Sequence, residues 1–111
     1  MKPRLTRELT LLARDTASDG AGGRQGDWQT LGTHWAELRP VTGRIERGDG
    51  HPRARVPWRI TMSGVPHGAP SRPVAGQVFA SGARRFAIRA VAETGAGAAW
   101  LVCFCDEETA S

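Results

Sequence analysis

A chain of 111 residues with net charge +4, 40% apolar residues, 14 glycines and 7 prolines is bounded to one small, turn-rich domain, expected to span residues 1–111. That much Gly and Pro argues against a helical bundle. Lys2 is the only lysine among fifteen basic residues, and the arginine forks suit phosphate, carboxylate and interface contacts.

The stretch 5–12, LTRELTLL, alternates, with Leu5, Leu9 and Leu11 on one parity and Thr6, Glu8 and Thr10 on the other. Alternation with two mid-segment threonines predicts a strand rather than a helix. The stretch 14–27 is rich in Gly, Ser and Asp and reads as a long loop. Residues 28–40, WQTLGTHWAELRP, read as a long strand ended by Pro40. Trp35 shares one face with Thr33 and Glu37, while Ala36 and Leu38 share the other with His34. An apolar residue on each face predicts that both are covered, by a barrel core or a subunit contact. Thr42 caps one possible helical turn reaching Arg47, ended by Gly48, Gly50 and Pro52. The rest of that connection, to Val56, is basic and extended.

Residues 58–63, WRITMS, alternate cleanly, with Trp58, Ile60 and Met62 inward. A proline-rich connection covers 64–73. Two strands, 74–80 and 85–91, flank Ser81-Gly82 as a hairpin, with Phe86, Ile88 and Ala90 on one face of the second. Residues 99–105, AWLVCFC, are apolar on both parities and are expected to be the most buried strand. Residues 106–111 read as an acidic tail. These elements make a mainly β protein, a small antiparallel barrel or sandwich of about six strands with long loops and at most one short helix. The expected core is Leu9, Leu11, Trp35, Leu38, Trp58, Ile60, Phe86, Ile88, Trp100, Val102 and Phe104.

The search for chemistry is mostly negative. Cys103 and Cys105 are too close along one strand for an unstrained bridge, which points to a reducing compartment. With His34, His51 and His67 they make a poor zinc set, because paired zinc cysteines are normally spaced more widely. No nucleophile motif or phosphate loop occurs, so no enzyme, cofactor or metal is expected. Lys2 and Arg4 are not followed by an apolar run, and neither a signal peptide nor a membrane partner is expected. One polar feature stands out: the cluster Arg44, Arg47, His51, Arg53 and Arg55, suited to phosphate contact.

Taken together, LTRELTLLAR, the stretch 27–46 around WQTLGTHWAELRPVTG, WRITMS, QVFASGARRFAIRAVAE and AWLVCFCDE resemble, in order and spacing, the phage head–tail joining family. Its members are also described as head-closure or stopper proteins, with counterparts in gene transfer agents. The chain departs from the family pattern at 47–57, where Gly, Pro and Arg replace a longer helix. The resemblance implies a structural virion protein without catalysis, assembled in the bacterial cytoplasm into a particle. It implies a homo-oligomeric, hexameric ring at the head–tail interface. An adaptor or portal-side connector sits above the ring, a tail terminator or tail tube protein below, and DNA passes through the channel. As in some relatives, a loop would gate that channel, and Arg47, His51, Arg53 and Arg55 are the expected channel-facing residues. Two alternatives remain at this point: a tail terminator of the same particle, or a free nucleic-acid-binding barrel resembling an OB-fold. The second would need aromatics exposed on a sheet face beside basic residues; Trp35, Trp58 and Trp100 are instead expected to point into apolar faces.

Overall fold

The computed structural model describes residues 2–14, 27–41 and 55–108, with the side chains of residues 55 and 108 excepted. Its strands are β1 (Arg7–Arg14), β2 (Trp28–Pro40), β3 (Arg55–Ser63), β4 (Val78–Ser81), β5 (Arg84–Thr94) and β6 (Trp100–Glu108). They close into an antiparallel barrel in the order β1-β2-β3-β6-β5-β4. Two three-stranded meanders, β1-β2-β3 and β4-β5-β6, are therefore joined along two seams. One seam pairs β3 with β6 over nine residues, from Arg55↔Glu108 to Ser63↔Trp100. The other pairs β1 with the short β4, from Thr10↔Ala80 to Leu12↔Val78. Among the described residues the only helical element is a 3₁₀ turn, Ala96–Ala98. The proposed turn at Thr42–Arg47 lies outside the described residues.

Every strand sends side chains to the interior. Leu9, Leu11, Ala36, Ile60, Met62, Phe79, Phe86, Ile88, Leu101, Cys103 and Cys105 form one buried cluster, with Leu38 and Trp58 packed against it. Phe79 and Phe86 face each other across β4 and β5. Burying each such ring stabilises the fold by about 1.5–3 kcal/mol.

Several expected core residues stand elsewhere. In β6 the inward parity is Leu101, Cys103 and Cys105, so Trp100, Val102 and Phe104 lie on the outer face, Phe104 at 38% exposure. Trp35 is 54% exposed, because the β2 parity that enters the core is that of Ala36 and Leu38. Ala90 is exposed as well. A register shift between Ile88 and Ala90 swaps the parity, so that Val91, opposite Cys103, packs inward instead. Such a bulge adds one residue to one strand and turns the following side chains over.

Boundaries differ at β1, which runs two residues later than LTRELTLL, and at β4, where Val74–Gln77 forms a turn before the strand. There the Val74 backbone N–H donates to Gln77 Oε1 at 3.0 Å and the Gln77 N–H donates to the Val74 carbonyl at 3.2 Å. The hairpin turn at Ser81-Gly82 is present, and Gly82 takes a φ of 60°, which glycine adopts without strain in the two-residue primed turns.

Antiparallel alternation fixes which connections share an end of the barrel. Arg14, Trp28, Ser63 and Trp100 mark one end. Pro40, Arg55, Arg84 and Glu108 mark the other. At the first end, the 64–77 connection folds over the barrel mouth. Pro73 is fully buried, and Arg72 Nη1 donates to the Val65 carbonyl at 2.8 Å and to Glu93 Oε2 at 3.2 Å. His34 Nε2 lies 2.7 Å from the Ser71 carbonyl oxygen, which can only accept, so that nitrogen carries the proton.

Candidate functional site

Two assemblies of polar and aromatic side chains stand apart from the core. The first plugs the barrel end at which β3 begins and β6 finishes. Alternation carries Glu107 onto the inward parity of β6 behind Leu101, Cys103 and Cys105, and only 8% of it is exposed. Arg84 Nε donates to Glu107 Oε2 at 2.8 Å and Arg84 Nη2 to Oε1 at 3.0 Å, while Trp58 Nε1 donates to Oε1 at 3.0 Å. The guanidinium also stacks 5.3 Å from the Trp58 ring and 5.0 Å from the Phe86 ring, and the two rings meet edge to face. Hydrogen bonding from Arg84 holds the Glu107 carboxyl below its ordinary value, against burial pulling the other way. The same bond raises the Arg84 value.

The second assembly covers the outer face of β2, β3, β6 and β5. Cross-strand pairing aligns Arg39, Arg59, Phe104 and Ala90 in one row and Glu37, Thr61, Val102 and Ala92 in the next. Adjacent arginines repel in such a row. Arg39 relieves this by pairing with Glu37 at 3.3 Å, and Arg59 by lying 5.7 Å over the Phe104 ring. An exposed cation–π contact contributes about 0.5–1 kcal/mol. The Arg4 backbone N–H donates to the other Glu37 oxygen at 3.1 Å, which lays the N-terminal segment beside this face. A groove of about 450 Å³ results, floored by Trp100 and Val102 and rimmed by Lys2, Glu37, Arg39 and Arg59. Arg89 binds Asp106 at 2.6 Å beyond it.

Arg47, His51 and Arg53 lie outside the described residues, as does the side chain of Arg55. The backbone of Arg55 opens β3 opposite Glu108, so the arginine-rich connection joins the barrel at the plugged end. Val41 N–H donates to the Pro57 carbonyl at 2.9 Å and closes its base. The long glycine-rich connection leaves from the opposite end, where Arg14 lies 5.1 Å over the ring of Trp28. Cys103 and Cys105 both face the core, where burial pushes the Cys103 thiol up to about 12 and the Cys105 thiol higher still. Among the described residues no three His, Cys, Asp or Glu side chains converge as a metal set. Neither the plug nor the groove offers a nucleophile beside a base.

A family described as phage head completion protein matches residues 1–108. The chain belongs to that family. It is accordingly a structural, head-related protein of a phage or gene-transfer-agent particle, and not an enzyme. Among solved structures it is similar to a chain of the virion of a native gene transfer agent particle. The two are 41% identical with a TM-score of 0.86, covering 99% of this chain and 100% of the other. No curated protein matches it. The segments that carry the resemblance to head–tail joining proteins form strands of the barrel, while Trp35, Trp100, Val102 and Phe104 face outward.

Sequence reasoning missed both assemblies. Residues 106–111 read as an acidic tail, yet the even spacing of Glu107 from Leu101, Cys103 and Cys105 marks it as the next inward position. The groove is hidden from the sequence because Trp100 and Val102 read as inward. The exposed Trp35 and the Arg59–Phe104 pair also supply the aromatic-plus-basic sheet face that the chain was expected to lack.

Proposed function

We propose that this protein is a single connector domain that assembles as a hexameric ring at the head–tail interface. The ring joins an adaptor or portal-side connector to a tail terminator or tail tube protein, and DNA passes through it. The observation that carries this reading is the near-complete match, in both chains, to a component of a gene-transfer-agent virion. The barrel geometry supports it. Long connections leave opposite ends of one rigid body, which suits a part with a different neighbour above and below. Arg47, His51, Arg53 and Arg55 belong to the connection that enters at the plugged end, and we assign them to the channel, where guanidinium groups would meet DNA phosphate and gate its passage.

Electron cryo-microscopy of particles from a strain lacking this chain tests the reading. Filled or DNA-leaking heads beside complete, separate tails are expected, with a ring of this protein at the joint in the wild type. Normally joined particles without the chain would refute it. A second reading, a free nucleic-acid-binding barrel, is favoured by the exposed Trp35 beside the Arg59–Phe104 pair. It requires the isolated protein to bind short DNA with an affinity that falls steeply as salt rises.

A further inference from the structure

The outer groove has a counterpart on another side of the same barrel. At the end of β1 and β2, Trp28 projects with 43% of its surface exposed, held by the Arg14 guanidinium stacked upon it and flanked by the exposed carboxylate of Asp27. Among the described residues Asp27 makes no ion pair, and neither does Arg59 at the groove. The knob thus presents an indole between one cation and one anion. The groove presents an apolar floor, Trp100 and Val102, among cations at Lys2, Arg39 and Arg59 and one anion, Glu37, which Arg39 pairs. Its volume of about 450 Å³ falls in the range that admits a ring system of indole size.

We infer that Trp28 of one copy seats in the β3–β6 groove of the next, with Asp27 set against Arg59 and Lys2 and Arg14 against Glu37. The occupant is a second copy of this chain because the knob offers a carboxylate and an apolar ring to a groove with an excess of cations and an apolar floor. Knob and groove are different surfaces of one copy. The knob sits at the Arg14–Trp28 end of β1 and β2, and the groove spans the lower part of β2 with β3 and β6. Two different surfaces that meet head to tail repeat around an axis, and a repeat that closes makes a ring. The inference rests on the ring reading and names the surfaces by which that ring is built.

Charge reversal in assembled particles tests it. Asp27→Arg and Arg59→Glu should each lower recovery of this chain in purified particles by about tenfold, the loss expected for opposing like charges across a contact. The double variant should recover to within about twofold of wild type, since the pair is restored in the opposite sense. Zero-length carbodiimide coupling offers a second measurement. Lys2 is the only lysine, so a ladder of linked copies carrying an Asp27–Lys2 peptide is expected, and Asp27→Asn should abolish it. Wild-type rings with a ladder formed through other carboxylates, or reversals without effect on recovery, would overturn the inference and leave the ring reading standing. Single copies in wild-type particles would overturn both. Loss of short-DNA binding by the isolated Arg59→Glu variant, with particle recovery unchanged, would assign the groove to nucleic acid and overturn it too.

Discussion

Replacing Glu107 with alanine should loosen the barrel end without emptying much of the core. Three hydrogen bonds disappear: two from Arg84 at 2.8 and 3.0 Å and one from Trp58 Nε1 at 3.0 Å. A bond to a charged acceptor contributes roughly 1.5–3 kcal/mol, and the part-buried Trp58 bond belongs at the lower end of that range. The Arg84 side chain is 38% exposed and regains water once released, so its share is discounted to about 1 kcal/mol or less. The expected loss is therefore about 2–3 kcal/mol, or on the order of 10 °C in Tm for a domain of this size. Glu107→Gln keeps an acceptor for Trp58 and should cost only about 1 kcal/mol. Urea unfolding followed by tryptophan fluorescence reads both. A Glu107→Ala variant within about 0.5 kcal/mol of wild type would show that the plug holds nothing, and would refute the reasoning. The same network fixes a pH dependence. The native Glu107 carboxyl titrates below its ordinary value of 4.5, so its stabilisation is complete above that value and drains as pH falls through the lower native one. Wild-type Tm should accordingly drop more than that of Glu107→Gln between about pH 5 and about pH 3.

Gly64 approaches the Ala98 carbonyl so closely that a β-carbon would collide with backbone, while its own N–H donates to the Ala99 carbonyl at 2.8 Å. Gly64→Ala should cost about 2 kcal/mol or more, and unchanged thermal unfolding would contradict the geometry. The buried Cys103 and Cys105 thiols, with Cys103 raised to about 12, should not react with a thiol reagent near neutral pH until denaturant is added. Rapid labelling of the native protein would show that the core opens. Trp35→Ala, at an exposed site, should change stability by no more than about 0.5 kcal/mol. A large drop in Tm would return that ring to the core.

Strand pattern was the legible part. The clean alternation of Trp58, Ile60 and Met62 placed β3 and its inward face, and Leu9 and Leu11 did the same for β1, because one-sided alternation permits a single orientation. Where both parities are apolar, as in 99–105, alternation says that the faces differ but not which meets solvent. Trp100, Val102 and Phe104 were misplaced for that reason, and Trp35 likewise. Composition could not show the bulge at Arg89 either, since nothing in RRFAIRAVAE distinguishes an alternation that slips from one that continues. Arg84 and Glu107 lie 23 residues apart, and their meeting depends on the β5–β6 register, which places Phe86 opposite Glu107. Only that register brings a carboxylate read as tail beside an arginine read as turn.

Closure of the barrel has a further consequence for a part of a virion particle. All six strands have partners on both sides, so no strand is an open edge along its whole length, though Trp28–Trp35 of β2 and Ala90–Thr94 of β5 pair along one side alone. Most backbone pairing, the least selective adhesive available to a β protein, is made within each molecule. Recognition of the next component then falls to side chains on the outer faces and to the connections at the two ends. Such surfaces can diverge to fit a new neighbour while the strands beneath them stay the same, which allows one barrel to serve particles whose adjoining parts differ.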